Sequence, residues 1–140
     1  RTISGNINPN LHSTVLSTES FTEGRHYWEV RIDQCSGNGH TYYGIARDGI
    51  ALNNHLSQAA HAYGVSHGSE AYGSVDGVKV NFVPAMAGIT SVASGVVGFL
   101  LDLDANELSV FYNKQFKGKI RSRRSPTAPQ FRYFALLATC

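Results

Sequence analysis

Residues 25–33 read Arg-His-Tyr-Trp-Glu-Val-Arg-Ile-Asp, an unbroken alternation. His26, Trp28, Val30 and Ile32 fall on one side; Tyr27, Glu29, Arg31 and Asp33 fall on the other. Successive side chains of a strand point to opposite faces, so the segment is a strand with one apolar and one ionic face. Such a strand demands a second layer to cover the apolar side. Trp28, the only tryptophan of the chain, is therefore expected as a core anchor whose ring N–H needs an acceptor.

The remaining segments repeat that demand. No segment keeps the helical period of about 3.6 residues for three turns. The best helical candidate, Ile50 to Ala62, is interrupted by Asn53-Asn54. Strand patterns recur at Thr41 to Arg47, Ala62 to Val65 and Val78 to Phe82. The run Val96 to Asp104 is apolar on both faces at its start, as expected of a central strand. Ala105-Asn106-Glu107 turns it back into Leu108 to Tyr112, a β-hairpin. Lys117 to Ile120 and Tyr133 to Ala138 complete the set. The expected fold class is all-β: a bent antiparallel two-sheet sandwich with little or no helix.

At 140 residues, 42% of them hydrophobic, the chain suits one domain over 1–140 with a real core. No apolar run reaches the roughly 18 residues of a membrane-spanning helix, so no membrane partner is expected. The start at Arg1-Thr2-Ile3-Ser4 reads as a domain excised from a longer chain. Cys35 and Cys140 do not make a disulfide framework, and no Asn-x-Ser/Thr sequon occurs. Both facts lean towards a reducing compartment, cytoplasmic or nuclear.

Several catalytic patterns fail on inspection. Gly64-Val65-Ser66-His67-Gly68 matches the nucleophile elbow, but no helix pattern follows it and no histidine lies beyond it. Asp102, Asp104 and Asn106 have the first spacings of a calcium loop, yet Glu107 and Asn113 stand where glycine and glutamate are required. Nothing supports reading the neighbouring carboxylates as a glycosidase pair. His55, His61 and His67 recur every six residues with no cysteine nearby, which is not zinc spacing. No metal, cofactor or catalytic group is expected.

Charge is unevenly spread. Lys114, Lys117, Lys119, Arg121, Arg123 and Arg124 hold half of the twelve positive charges in eleven residues, and no acidic residue follows Glu107. This run suits phosphates or an acidic protein partner. Only Phe116 interleaves it, a poor supply for base stacking. The plain alternative is a solvated hairpin whose charge guards an edge strand.

Three segments carry a family resemblance: Gly24-Arg25-His26-Tyr27-Trp28-Glu29-Val30, then Tyr43-Gly44-Ile45-Ala46, then Val97-Gly98-Phe99-Leu100-Leu101-Asp102 through Leu108-Ser109-Val110-Phe111-Tyr112-Asn113. Together they resemble the signatures of a SPRY domain over Phe21 to Gly118. The chain departs from the pattern at Lys114, where the family usually has glycine, and at Ala62-Tyr63-Gly64, where many members carry Ser-Trp-Gly. The PRY segment of longer relatives is not evident. The resemblance implies a concanavalin-type jelly roll and a non-catalytic module that recognises a short segment of a partner protein through loops at one end. It also implies the substrate-recognition part of a ubiquitin ligase or adaptor, monomeric as an isolated domain.

Two loops meet that description. Asn8, Asn10 and His12 precede the first strand; Arg47, Asp48, Leu52, Asn53 and His55 follow the Gly-Ile-Ala strand. By resemblance both are expected at the same end of the sandwich. Two other functions stay open: a lectin-like sandwich, which calls for an exposed tryptophan, and RNA or acidic-partner binding through residues 114–124.

Overall fold

The computed structural model describes residues 13–33, 41–49, 62–66, 71–75, 78–80, 95–121 and 133–139. They form ten strands: β1 (Ser13–Phe21), β2 (Arg25–Ile32), β3 (Thr41–Arg47), β4 (Ala62–Ser66), β5 (Ala71–Val75), β6 (Val78–Val80), β7 (Gly95–Asp102), β8 (Glu107–Tyr112), β9 (Gln115–Arg121) and β10 (Tyr133–Thr139). Every pairing is antiparallel. One sheet runs β1-β10-β3-β4-β5-β6 and the other β2-β7-β8-β9. Tyr43, Ile45, Tyr63 and Val65 of the first pack against Ile32, Val97, Phe99, Leu101, Leu108, Val110 and Ile120 of the second. The expected two-sheet sandwich is what forms. The helical candidate after Ile50 lies outside the described residues up to Ala62, which opens β4.

β2 alternates as the sequence implies: its even-numbered residues are half-buried or buried and its odd-numbered ones exposed. Trp28 pairs across the strand with Phe99, which is fully buried. Their rings stack at 5.4 Å. Phe21, the last residue of β1, stacks on the other side of Trp28 at 5.5 Å and on His26 at 4.3 Å. Because β1 belongs to the six-stranded sheet and β2 to the four-stranded one, this ring stack ties the two sheets together. Only residues 22–24 separate the strands, with Gly24 at φ 76°, a left-handed conformation that glycine adopts without steric cost. Trp28 is half-buried, and among the described residues its Nε1 finds no hydrogen-bond acceptor, unlike most buried donors.

β3 and β4 meet at two glycines in register, Gly44 and Gly64. A Cβ built on Gly44 would lie 2.0 Å from the Tyr63 carbonyl oxygen, and one on Gly64 would lie 2.0 Å from that of Tyr43. No side chain fits at either position, because the obstacle is backbone. This close approach sets Tyr43, Ile45, Tyr63 and Val65 into the core.

β7 is central, as expected, between β2 and β8. The β7–β8 turn is closed by Asp102, whose Oδ1 accepts the Ala105 N–H at 2.9 Å. The β8–β9 turn is Asn113-Lys114, with φ of 47° and 67°. Positive φ at both central residues is the two-residue hairpin turn that matches sheet twist. Asn113 also fastens the turn to β7: its N–H donates to the Val96 carbonyl at 2.8 Å, and its Oδ1 accepts the Val96 N–H at 3.0 Å.

Candidate recognition site

The strand registers sort the turns into two ends. Phe21 pairs with Tyr133, and Tyr133 pairs with Arg47. At that end Arg25 pairs with Asp102, and the Leu103 N–H donates to the Gly24 carbonyl at 3.0 Å. The exit of β3 therefore shares an end with the β1–β2 and β7–β8 turns. At the other end Ser13 pairs with Thr139, Thr139 pairs with Thr41, and Ile32 pairs with Gly95.

Of the expected loop residues, Arg47 and Asp48 are described. Arg47 is half-buried where β3 ends, and Asp48 is exposed in the following turn, which Gly49 continues at φ 80°. Asn8, Asn10, His12, Leu52, Asn53 and His55 lie outside the described residues. The attachment points of the two loops do not share an end. Residue 12 leads into Ser13, whereas Asp48 follows Arg47 at the far end of the parallel-running β3. The alternation that locates each strand carries no information on which ends coincide; pairing through β10 decides it.

The acidic turn is structural. Arg25 Nε–H donates to Asp102 Oδ2 at 2.6 Å. The Ala105 N–H, with the Arg25 guanidinium adding to it, holds the Asp102 carboxyl below its ordinary range against a smaller opposing effect of burial. Among the described residues no group of acidic, histidine or cysteine side chains is arranged to hold a metal ion. Ser66 of the elbow-like motif ends β4, paired with Tyr42 in an antiparallel sheet; the next described residue, Ala71, opens another strand. His61 and His67 lie outside the described residues. Ile45, Tyr63, Leu101, Leu103, Leu108 and Ile120 line a gap of about 20 Å³ between the sheets. That is room for roughly one water molecule, far below a ligand pocket of several hundred Å³.

The basic run divides. Lys114 is exposed at the β8–β9 turn. Lys119 Nζ forms an ion pair with Glu107 Oε2 at 2.8 Å, and Lys117 Nζ donates to Gln115 Oε1 at 3.3 Å. Arg121 closes β9, and Arg123 and Arg124 lie outside the described residues. Among the described residues β9 stands at the end of its sheet, so its lysines line an edge of the described sheet.

The outer face of the four-stranded sheet brings together rings that the sequence patterns do not connect. Tyr27 and Phe116 are exposed at 55% and 56%. Phe111 lies between them, 6.2 Å from Tyr27 at 75° and 5.7 Å from Phe116 at 65°. Tyr27 lies across Gly98, where a Cβ would come within 2.7 Å of its hydroxyl. That hydroxyl donates to Glu29 Oε1 at 2.8 Å; this bond first, then burial and the Glu29 charge, raise the phenol above its ordinary pKa. The signal was parity: Tyr27 falls on the face opposite Trp28, and Phe111 opposite Val110.

Exposed rings, a charged strand edge and turn side chains on a two-sheet sandwich are groups suited to binding a protein partner. Residues 25–133 match the model of the SPRY domain, and the chain belongs to that family. SPRY domains mediate protein–protein interactions, are generally non-catalytic, and occur in TRIM ubiquitin ligases. The chain is 27% identical over 121 residues to E3 ubiquitin-protein ligase TRIM9 of Drosophila melanogaster, a match covering 80% of this chain and 15% of that protein. It thus spans a small part of that relative's length. Its fold is similar to the SPRY domain of human HERC1, with TM-score 0.65 and 14% identity over 92% of this chain and 75% of that one. It is also similar to the PSpry domain of TRIM65, with TM-score 0.55 and 18% identity over 91% and 68% of the two chains.

Proposed function

We propose that this SPRY domain recognises a short segment of a partner protein at the end of the sandwich where β3 leaves its sheet, and selects substrate for a longer ubiquitin ligase. The observation that carries the reading is the placement of Arg47 and exposed Asp48 at the same end of the sandwich as the β1–β2 and β7–β8 turns. Opposite charges on a rigid strand end can hold a peptide backbone with little ordering cost. The likeness to TRIM9 supports the ligase context, which goes with work in the cytoplasm. A lectin-like reading is less well supported, because Trp28 lies stacked between Phe21 and Phe99.

The two loops leave from opposite ends, so they are tested apart. Asp48→Ala with Asn53→Ala should weaken capture of a pulled-down partner at least tenfold without lowering the melting temperature. Asn8→Ala with Asn10→Ala serves as the comparison. If only the second pair weakens capture, recognition belongs to the other end.

A further inference from the structure

β9 ends the four-stranded sheet, and among the described residues no strand pairs with its free side. An unpaired strand edge presents a row of backbone donors and acceptors; on β9 that row is interrupted at Lys117, the extra residue of a bulge between Phe116 and Gly118. Phe116 of this strand is exposed and continues the ring row Tyr27–Phe111–Phe116. Lys114, Lys117 and Lys119 flank it; Glu107 neutralises Lys119, whereas Lys117 Nζ donates to the uncharged amide of Gln115.

We propose that β9 accepts an extended, acidic segment of a partner protein as a fifth strand. The main chain of that segment pairs with β9, as in other cases of strand addition. An aromatic or branched side chain on its outer face abuts Phe116, and its carboxylates meet Lys117 and Lys114. Charge selects this occupant. A second copy pairing edge to edge through β9 would set lysines against lysines, which is destabilising. RNA is disfavoured by ring geometry: Phe111 stands edge-on to both neighbours, at 65° and 75°, and offers no run of parallel stacking platforms. The site is separate from the β3 end, so either reading can fail without the other.

The probe is a capped heptapeptide, Glu-Thr-Phe-Thr-Glu-Thr-Glu, followed by fluorescence anisotropy against the whole domain. Binding should weaken about tenfold or more when lysines replace its glutamates, by loss of charge complementarity. It should weaken as much when the backbone amides facing β9 are N-methylated, by loss of the strand pairing. Phe116→Ser and Lys117→Glu should each reduce affinity several-fold with unchanged melting temperature, and Lys117→Glu should improve binding of the lysine peptide. Full affinity of the N-methylated peptide would overturn strand addition. Indifference to both substitutions, or tighter binding of an oligouridine of equal length, would overturn the site or its occupant. Self-association of the free domain that is lost in Lys117→Glu would assign the edge to a second copy instead.

Discussion

The two faces of the four-stranded sheet both carry aromatic rows, built in opposite ways. On the inner face His26, Phe21, Trp28 and Phe99 stack nearly parallel, at interplanar angles of 20–26°, and Phe21 comes from the other sheet. On the outer face Tyr27, Phe111 and Phe116 meet edge to face, all from the one sheet. The inner row spans the gap between layers and contributes to stability by burial. The outer row leaves two of its three rings more than half exposed. One strand, β2, supplies both rows through its alternation: the same arrangement that hides Trp28 displays Tyr27.

Truncation tests that contrast most directly. Trp28→Ala should cost ~3–5 kcal/mol by opening a cavity between Phe21 and Phe99, as for other large core aromatics. Phe116→Ala should stay within about 0.5 kcal/mol, as is usual for an exposed side chain. Chemical denaturation gives both numbers, and equal losses would erase the distinction between the faces.

A smaller effect comes from Gly98, which floors the outer row. Its substitution by alanine should displace Tyr27, because the new methyl would overlap the phenol. The expected cost is about 1 kcal/mol, the low end for overpacking, since the far end of a side chain can move. Loss of the bond to Glu29 should bring the Tyr27 phenol down towards its ordinary range, read by NMR titration.

Lys114→Gly sharpens the comparison in the other direction. Lys114 holds φ 67°, which costs a side-chain-bearing residue about 1–2 kcal/mol. Part of that gain is offset by the freedom glycine has when unfolded. A net stabilisation of about 0.5 kcal/mol is expected, seen as a higher denaturation midpoint with the hairpin carrying Phe111 and Phe116 unchanged.

The smallest effect is electrostatic. Asp102, at the rim of the outer face, has its carboxyl held below the ordinary value in the folded state. The unfolded chain then binds a proton more readily, so this contribution to stability is present above the ordinary carboxylate pKa. It is lost as pH falls through the lower folded value. Asp102→Asn should flatten the acid limb of a stability–pH curve slightly, and a steeper limb would contradict the assignment.

Much of the sandwich was legible because its strands alternate or run apolar. Thr41–Arg47, Gly95–Asp102 and Glu107–Tyr112 all show in the pattern. β1 did not, being rich in serine and threonine with its register shifted between Leu16 and Ser20, so no clean period survives. β5, Ala-Tyr-Gly-Ser-Val, is short and glycine-bearing and reads as a loop. The sites were less legible. Arg47 and Asp48 follow from their place after a strand. The Tyr27–Phe111–Phe116 row depends on contacts between residues far apart in sequence, and the separation of the two loops depends on how β10 joins β1 to β3.

Gly44 and Gly64 act as a keyed joint between β3 and β4. The backbones of β3 and β4 can close to their final distance only where the two residues without side chains coincide. A slip of one residue would bring Tyr43 or Ile45 against Gly64 and hold the strands apart. It would also turn core side chains to the wrong face. Misaligned pairings are thus penalised within the six-stranded sheet itself, without help from the layer that carries Trp28 and Phe99.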